Sequence, residues 1–511
     1  MAENTSRLKR ASYNVVILAI YQMTVFVCNL ILPRFILTAY GSEYNGIISS
    51  ITQFLNFISI LRLGVAGATR VELYKSLASD NTNQTSAIIR ATEVFMRKVA
   101  CIFAAYLVAM AVFYPLVVRS RYSYLEIGSL VLVMGVGTFA QYFFGITYST
   151  LLQADQRLYV YNVIQIAATV VNTLLACTLI RLGFSIQVMK LGSSLVFTAS
   201  PLLLNWYVTR RYHLNKKAAP DNTALRNRGS VIAHSIANIV HDNTDVVVLT
   251  LLTDVKTVSV YAVYNLVLNG LKQLMTIFTS GLESAFGSMW IKKEIDKMYY
   301  NLRMYEFFIC SFVCVVFSCA AVLILPFVRV YTKGVTDVNY IIPVYAALAV
   351  TAQAVYCIRM PYITLVQAAG HYRQTRNGAF MEAFINIVIS VALTWKIGLV
   401  GVVIGTLCAN LFRTVQYSVY LSRNLLPRPI RITLWRMGWT LANCLVSVAV
   451  CEWLMSFCLG QITSWGSWCA GGILSFAVSS SITLASAWLF YRADLRGTVG
   501  IVKRILNRKG R

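Results

Sequence analysis

About fourteen apolar segments, each near the 20 residues that a helix needs to cross bilayer hydrocarbon, follow one another along these 511 residues with short polar stretches between them. That succession leaves one class of fold. In hydrocarbon every backbone N–H and C=O must be bonded within its own segment, so runs of this length fold as membrane-spanning helices. The segments are 12–33, 44–68, 93–118, 127–152, 157–180, 185–208, 231–253, 257–290, 304–328, 338–366, 377–396, 397–422, 433–459 and 463–491. The eighth and tenth are long enough to tilt or to extend beyond the bilayer. Hydrophobic residues make up 58% of the chain and charged residues 13%, with a mean hydropathy of +0.64. A water-soluble chain could not bury that much apolar surface in one core, so the surplus faces lipid.

The formal charge of +26 would suggest nucleic acid in a soluble protein. Here the basic residues sit between the apolar segments, and no arginine-rich stretch with interleaved aromatics stands apart from them, which excludes nucleic-acid binding. With the N-terminus in the cytoplasm, about 30 Lys and Arg fall on the inside and about 8 on the outside. The bias predicts an even number of spans with both termini cytoplasmic. Arg7, Lys9 and Arg10 precede an apolar run without a small-residue cleavage site, so that run reads as a first span rather than a removed signal peptide. All twelve cysteines lie in apolar segments without CxxC spacing or histidine companions, which argues against a metal site and against disulfides. There is no P-loop, no GxGxxG turn and no HExxH helix, so neither nucleotide hydrolysis nor metallopeptidase chemistry has a home, no cofactor is implied, and the chain does not read as an enzyme.

Shifting the sequence by 220 residues lays Tyr44-Asn45 on Tyr264-Asn265, Gln53 on Gln273, Gly67 on Gly287 and Val71 on Ile291 without a gap. The long polar stretch from Arg210 to Gly229 separates the two halves. The expected organisation is an N-terminal six-helix lobe (1–208), a cytoplasmic linker (209–230), a C-terminal six-helix lobe (231–424), two additional spans (425–492) and a basic cytoplasmic tail (493–511). A parallel repeat of this kind places a substrate site at the interface of the lobes.

Ionisable side chains inside a bilayer are expensive unless they face a partner or a wet cavity, so they carry the functional information. Lys272 lies near the middle of the eighth span and reaches neither surface easily. Arg62 and Arg359 lie deeper than a terminal anchor; substrate contact, snorkelling and pairing with a carboxylate are all open to them. Arg97, Lys98, Lys190 and Arg413 sit closer to span ends, where snorkelling to the headgroups is expected. Glu382 and Glu452 are isolated acids. In the seventh span His234, Asn238, His241 and Asp245 recur at i, i+4, i+7 and i+11 on one helical face, with Asp242 beside them. Such a stripe either binds and releases H⁺ or Na⁺, or forms a structural ion pair with Lys272.

The segments Tyr40–Asn45 (Tyr-Gly-Ser-Glu-Tyr-Asn), Leu61–Gly67 (Leu-Arg-Leu-Gly-Val-Ala-Gly) and Leu73–Lys75 (Leu-Tyr-Lys), with the span count and the repeat, resemble the polysaccharide flippases of the multidrug, oligosaccharidyl-lipid and polysaccharide exporter superfamily. The resemblance runs over the whole chain. It implies two six-helix lobes around a cationic cavity plus two extra helices, in a bacterial plasma membrane. It also implies a substrate, an undecaprenyl-diphosphate-linked saccharide, that crosses by alternating access. Lys272, Arg62 and Arg359 are the residues offered to the diphosphate, and Asp242 and Asp245 depart from a uniformly basic cavity. The expected partners are therefore a polyprenyl-diphosphate saccharide, membrane lipids and H⁺ or Na⁺, with the protein a monomer. A peptidoglycan-precursor flippase and a multidrug cation exporter of the same superfamily are the nearest alternatives. A membrane-embedded saccharide polymerase or ligase is disfavoured because the longest outer loops have only about ten residues, too few for a catalytic outer domain.

Overall fold

A computed structural model describes residues 2–508 except 63–64, 80, 213, 216–217, 222–228, 281 and 459. Side chains are described for the same residues outside 2–12, 61–62, 66–68, 71, 78, 229–235, 237–238, 242, 277–278, 280, 284 and 501–508. Every regular element among them is helical. Eleven of the described helices are long and apolar enough to cross a membrane, as a multi-pass membrane protein requires. One of these, Tyr13–Ile60, has 48 residues, or about 72 Å at 1.5 Å each, more than twice the hydrocarbon thickness. It is broken at Gly41, whose φ of 83° is left-handed and favours glycine.

The chain forms two compact units, Met1–Ser259 and Val260–Arg511. The first opens with α1 (Ala2–Phe57), which runs through a 3-10 turn (Ile58–Arg62) to α2 (Val65–Ala78) and α3 (Thr82–Val117). Next comes α4 (Tyr124–Ala140), joined by a π-helical turn (Gln141–Gly145) to α5 (Ile146–Ala154). The hairpin α6 (Leu158–Arg181) and α7 (Ile186–Tyr212) follows, then α8 (Gly229–Leu252). Helix α9 (Val255–Ser280) starts in the first unit and continues into the second. Starts are set by local chemistry. The Asn81 side chain accepts from Gln84 N at 3.0 Å ahead of α3, and Ser123 with Glu126 forms a capping box ahead of α4.

The core of this unit gathers Ile47, Ile51, Val99, Phe103, Leu130 and Val131. Helix α8, placed by the repeat in the second lobe, packs on α1 here. Ser50 Oγ and Thr250 Oγ1 lie 2.7 Å apart, and Asn45 Nδ2 donates to Ser259 Oγ at 2.8 Å. Gly46 permits the approach, since a Cβ there would fall 1.7 Å from the Val255 carbonyl oxygen.

The second unit comprises α10 (Leu282–Ile291), α11 (Ile295–Tyr331), α12 (Pro343–Ile358), α13 (Met360–Ala368), α14 (Tyr372–Ile397), α15 (Leu399–Asn424), α16 (Arg431–Cys458), α17 (Trp465–Phe490) and α18 (Arg492–Arg508). Helices α14 and α15 form the tightest hairpin, turning on Gly398 at φ 57°. Cβ atoms at Gly401 and Gly405 would fall 2.4 Å from Leu393 C and 2.2 Å from Ser390 Oγ, so both positions need glycine for this approach. Large apolar side chains such as Phe113, Trp395, Phe457 and Ile473 stand exposed along the helices, as lipid-facing groups do.

One contact in each unit joins positions that the 220-residue shift relates. Tyr44 stacks on Tyr122 at 4.0 Å, and Ile342 N, 220 positions after Tyr122, donates to Tyr264 Oη at 3.3 Å.

Candidate functional site

One group of interior charges in the second unit gathers where α12 gives way to α13. Arg359 occupies that break and is 3% exposed. Its Nη1 donates to Glu382 Oε1 on α14 at 2.6 Å. The other carboxylate oxygen, Glu382 Oε2, lies 3.3 Å from Arg413 Nε on α15. Arg413 is 1% exposed, donates from Nη1 to the Thr375 carbonyl at 3.1 Å and to Gln416 Oε1, and donates from Nη2 to Tyr417 Oη at 2.9 Å. Gly378 makes room for it, since a Cβ there would lie 2.2 Å from Arg413 Nη1. Asn410 Nδ2 ties α15 to α12 by donating to the Ala352 carbonyl at 3.0 Å.

Lys272 joins the group through an aromatic ring. Its Nζ stands 4.6 Å from the Tyr356 ring centroid, and the Arg359 guanidinium stands 4.5 Å from the same centroid. Both distances suit cation–π attraction. Lys272 is only partly buried, unlike the two arginines. Among the described residues the two arginines and Glu382 form a buried frame, with the Lys272 ammonium more accessible beside it. Such a frame can present positive charge to an anion without exposing all of it to lipid.

Two of the sequence-selected residues, Lys272 and Arg359, are thus brought together. Arg62 ends the 3-10 turn after α1, and its side chain lies outside the described residues. His234, His241, Asp242 and Asp245 all fall on α8 of the first unit. Asp245 is buried at 8% exposure and His241 partly buried, while the side chains of His234 and Asp242 lie outside the described residues. Sequence reasoning missed the part played by Arg413, which is buried against Glu382 instead of reaching toward a headgroup. The signal was available: Glu382 stands sixteen residues before Gly398 and Arg413 fifteen after it, so a hairpin turning there sets them opposite each other. Lys190 lines a polar cavity of about 190 Å³ with Gln141, Ser193 and Ser194. No group of histidine, cysteine and carboxylate side chains fit to hold a metal occurs among the described residues.

No protein-family model and no curated protein matches the sequence. Solved structures do match its fold. The lipid II flippase MurJ in an inward closed conformation aligns over 94% of this chain and 99% of its own with a TM-score of 0.65 and 12% identity. A MATE transporter of Vibrio cholerae aligns over 84% and 99% with a TM-score of 0.59 and 13% identity. A multidrug resistance transporter of the MOP superfamily in an inward-facing conformation aligns over 80% and 98% with a TM-score of 0.56 and 13% identity. The fold is therefore the one these transporters and flippases share, as the sequence resemblance implied, and these neighbours are not enzymes.

Proposed function

We propose that the protein is a flippase that moves a polyprenyl-diphosphate-linked saccharide from the cytoplasmic to the outer leaflet of a bacterial plasma membrane by alternating access, for export of a surface polysaccharide. The observation that carries this reading is the cluster of Lys272, Arg359 and Arg413 around Glu382 and Tyr356, cations gathered inside a spanning unit. A diphosphate cannot enter hydrocarbon unaided, whereas its lipid tail need never leave it. An ammonium held at membrane depth supplies charge-assisted hydrogen bonds where bare phosphate oxygens are most costly. Lys272 meets the diphosphate, Arg359 fixes Tyr356 and Lys272 in place, and Arg62 is a further cation offered to the same headgroup. The α8 residues His234, His241, Asp242 and Asp245 couple the cycle to H⁺ or Na⁺. Both termini face the cytoplasm in this reading, following the distribution of Lys and Arg.

The test is reconstitution in liposomes with a fluorescent polyprenyl-diphosphate saccharide, reading its transfer between leaflets by membrane-impermeant quenching. Lys272→Ala abolishes transfer with protein levels unchanged, and Lys272→Arg retains part of it because charge persists in a different geometry. Full transfer by the alanine variant refutes the reading. A second reading, export of a cationic drug, draws on Asp245 buried on α8. Uptake of a cationic dye into the same liposomes, lost in Asp245→Asn, would select it.

A further inference from the structure

We propose that the second unit carries, apart from the transport cluster, a binding site for the phosphate of an anionic membrane lipid, built where α11, α16 and α18 pack together. Glu306 on α11 is 1% exposed and receives two arginines. Arg428 donates to it from both Nη atoms, one at 2.9 Å, and Arg436 donates from Nη1 at 2.9 Å. Asp494 on α18, also 1% exposed, takes Arg436 Nη2 at 2.6 Å and Arg303 Nη2 at 2.7 Å. Arg431 is exposed and forms no ion pair among the described residues. Three guanidiniums thus surround two carboxylates, with Arg431 exposed beside them. The Nε atoms of Arg428 and Arg436 are buried and donate to nothing among the described residues. A cavity of about 480 Å³ opens against this network, bordered by Tyr299, Arg303, Arg431, Trp435, Arg436 and Asp494.

The chemistry calls for an anion with several acceptor oxygens, and the position makes that anion part of a lipid. Arg431 is the first residue of α16, a 28-residue apolar span, so the cavity lies at the level where that helix enters the bilayer. Leu434 and Trp435 in its first turn are 56% and 65% exposed, an apolar wall beside the guanidiniums that acyl chains would cover. Basic pockets between spanning helices at a membrane surface suit phosphate headgroups for these same reasons. The buried Glu306 and Asp494 keep Arg428 and Arg436 in place, and Arg303 and Arg431 at the mouth provide the charge that reaches the phosphate.

Native mass spectrometry of the full-length protein in neutral detergent tests the site, with phosphatidylglycerol, phosphatidylcholine or inorganic phosphate added. The wild type retains phosphatidylglycerol about tenfold better than phosphatidylcholine, equal to about 1.4 kcal/mol. The double variant R303Q/R431Q loses that preference, and Asp494 remains paired with Arg436. If the double variant does not fold, R431Q alone reports, because Arg431 carries no ion pair among the described residues, and it lowers the preference about threefold, roughly 0.65 kcal/mol. Lys272→Ala leaves the preference intact, which separates this site from the transport cluster. Equal retention of the two lipids by the wild type, an undiminished preference in R431Q, its loss in Lys272→Ala, or displacement of phosphatidylglycerol by millimolar inorganic phosphate would each overturn the proposal.

Discussion

In the first unit the span formed by α4 and α5 is interrupted by the π-helical turn Gln141–Gly145; in the second, α12 and α13 meet at Arg359. Each broken span sets its second piece against a short helix, α5 on α2 and α13 on α10, and each is followed by a helical hairpin. The scaffolds correspond, but their contents do not. The first interruption is aromatic, with Phe139 and Phe143 stacked at 5.7 Å, the Arg97 guanidinium 5.2 Å from the Phe143 centroid and Lys190 on the same cavity as Gln141, and its hairpin is joined by a neutral bond from Gln165 Nε2 to Ser200 Oγ at 3.0 Å. The second is charged, with Arg359, Glu382 and Arg413 in the corresponding region. A neutral pair joins the hairpin in one copy, so the fold does not require an ion pair across it. Buried ion pairs are weak stabilisers compared with apolar packing. The charged tie of the second copy is the feature that the proposed function draws on.

The comparison is broken most forcefully at Glu382. Glu382→Gln leaves two buried guanidiniums without a carboxylate, which destabilises by about 3–5 kcal/mol. In the first unit Gln165→Ala removes a neutral hydrogen bond, worth about 1 kcal/mol. Thermal unfolding of the two variants in detergent should show a markedly larger fall for Glu382→Gln. The double variant Glu382→Gln/Arg413→Gln should recover part of the loss, because one unpaired charge is gone. Equal falls in the two single variants would show that the charged and neutral hairpins are energetically alike.

Gly378→Ala is the next largest effect. The added methyl would lie within 2.2 Å of Arg413 Nη1, an atom held by its neighbours, so the frame must shift at about 1–3 kcal/mol. At Gly137 in the first unit a Cβ would have its nearest contacts at 3.4 Å, from Phe197 and Ser194, and alanine there should be neutral or stabilising by up to about 1 kcal/mol through helix propensity. Flipping assays beside the melting curves sharpen the contrast, because Gly378→Ala should slow transfer more than Gly137→Ala.

Much of the helical plan was legible in the sequence because hydrocarbon imposes length on every span. The segments long enough to tilt or extend, 257–290 and 338–366, do break, into α9 with α10 and α12 with α13, whereas 127–152 also breaks, at Gln141–Gly145, with no signal in its length. Helices α3 and α11 begin at Thr82 and Ile295, well before their apolar runs, since a helix continues into water wherever polar residues permit it; α3 is capped there by the Asn81 side chain. The partners of the charges were less legible. Periodicity assigns Glu382 and Arg413 to faces of their own helices but does not say which faces meet, and that depends on the small residues of the α14–α15 hairpin. Arg413 was read as an anchor reaching for headgroups because depth alone was counted. Gly378, which makes a place for its guanidinium, looked like any other glycine in an apolar run.

The smallest expected effect lies at the connections after the two broken spans. Between α5 and α6, Gln156 takes a φ of 56°, Arg157 Nε pairs with Asp155 Oδ2 at 2.8 Å, and Tyr212 from the end of α7 donates to the same oxygen at 2.5 Å. Between α13 and α14, Gly370 takes a φ of 75° and His371 Nδ1 lies 2.8 Å from Tyr420 Oη, near the end of α15. The second connection therefore contains a titratable imidazole where the first has an ion pair. Burial lowers the proton affinity of His371 below the ordinary 6.5. On acidification the unfolded chain binds the proton first, so the stability present above about pH 6.5 is lost as the pH falls through the lower folded value. His371 is only partly buried, so the change should be small. Melting curves of the wild type and His371→Gln at pH 7.5 and 5.5 check it: the wild type should lose slightly more stability between the two than the variant, and identical pH dependence would remove His371 as the source.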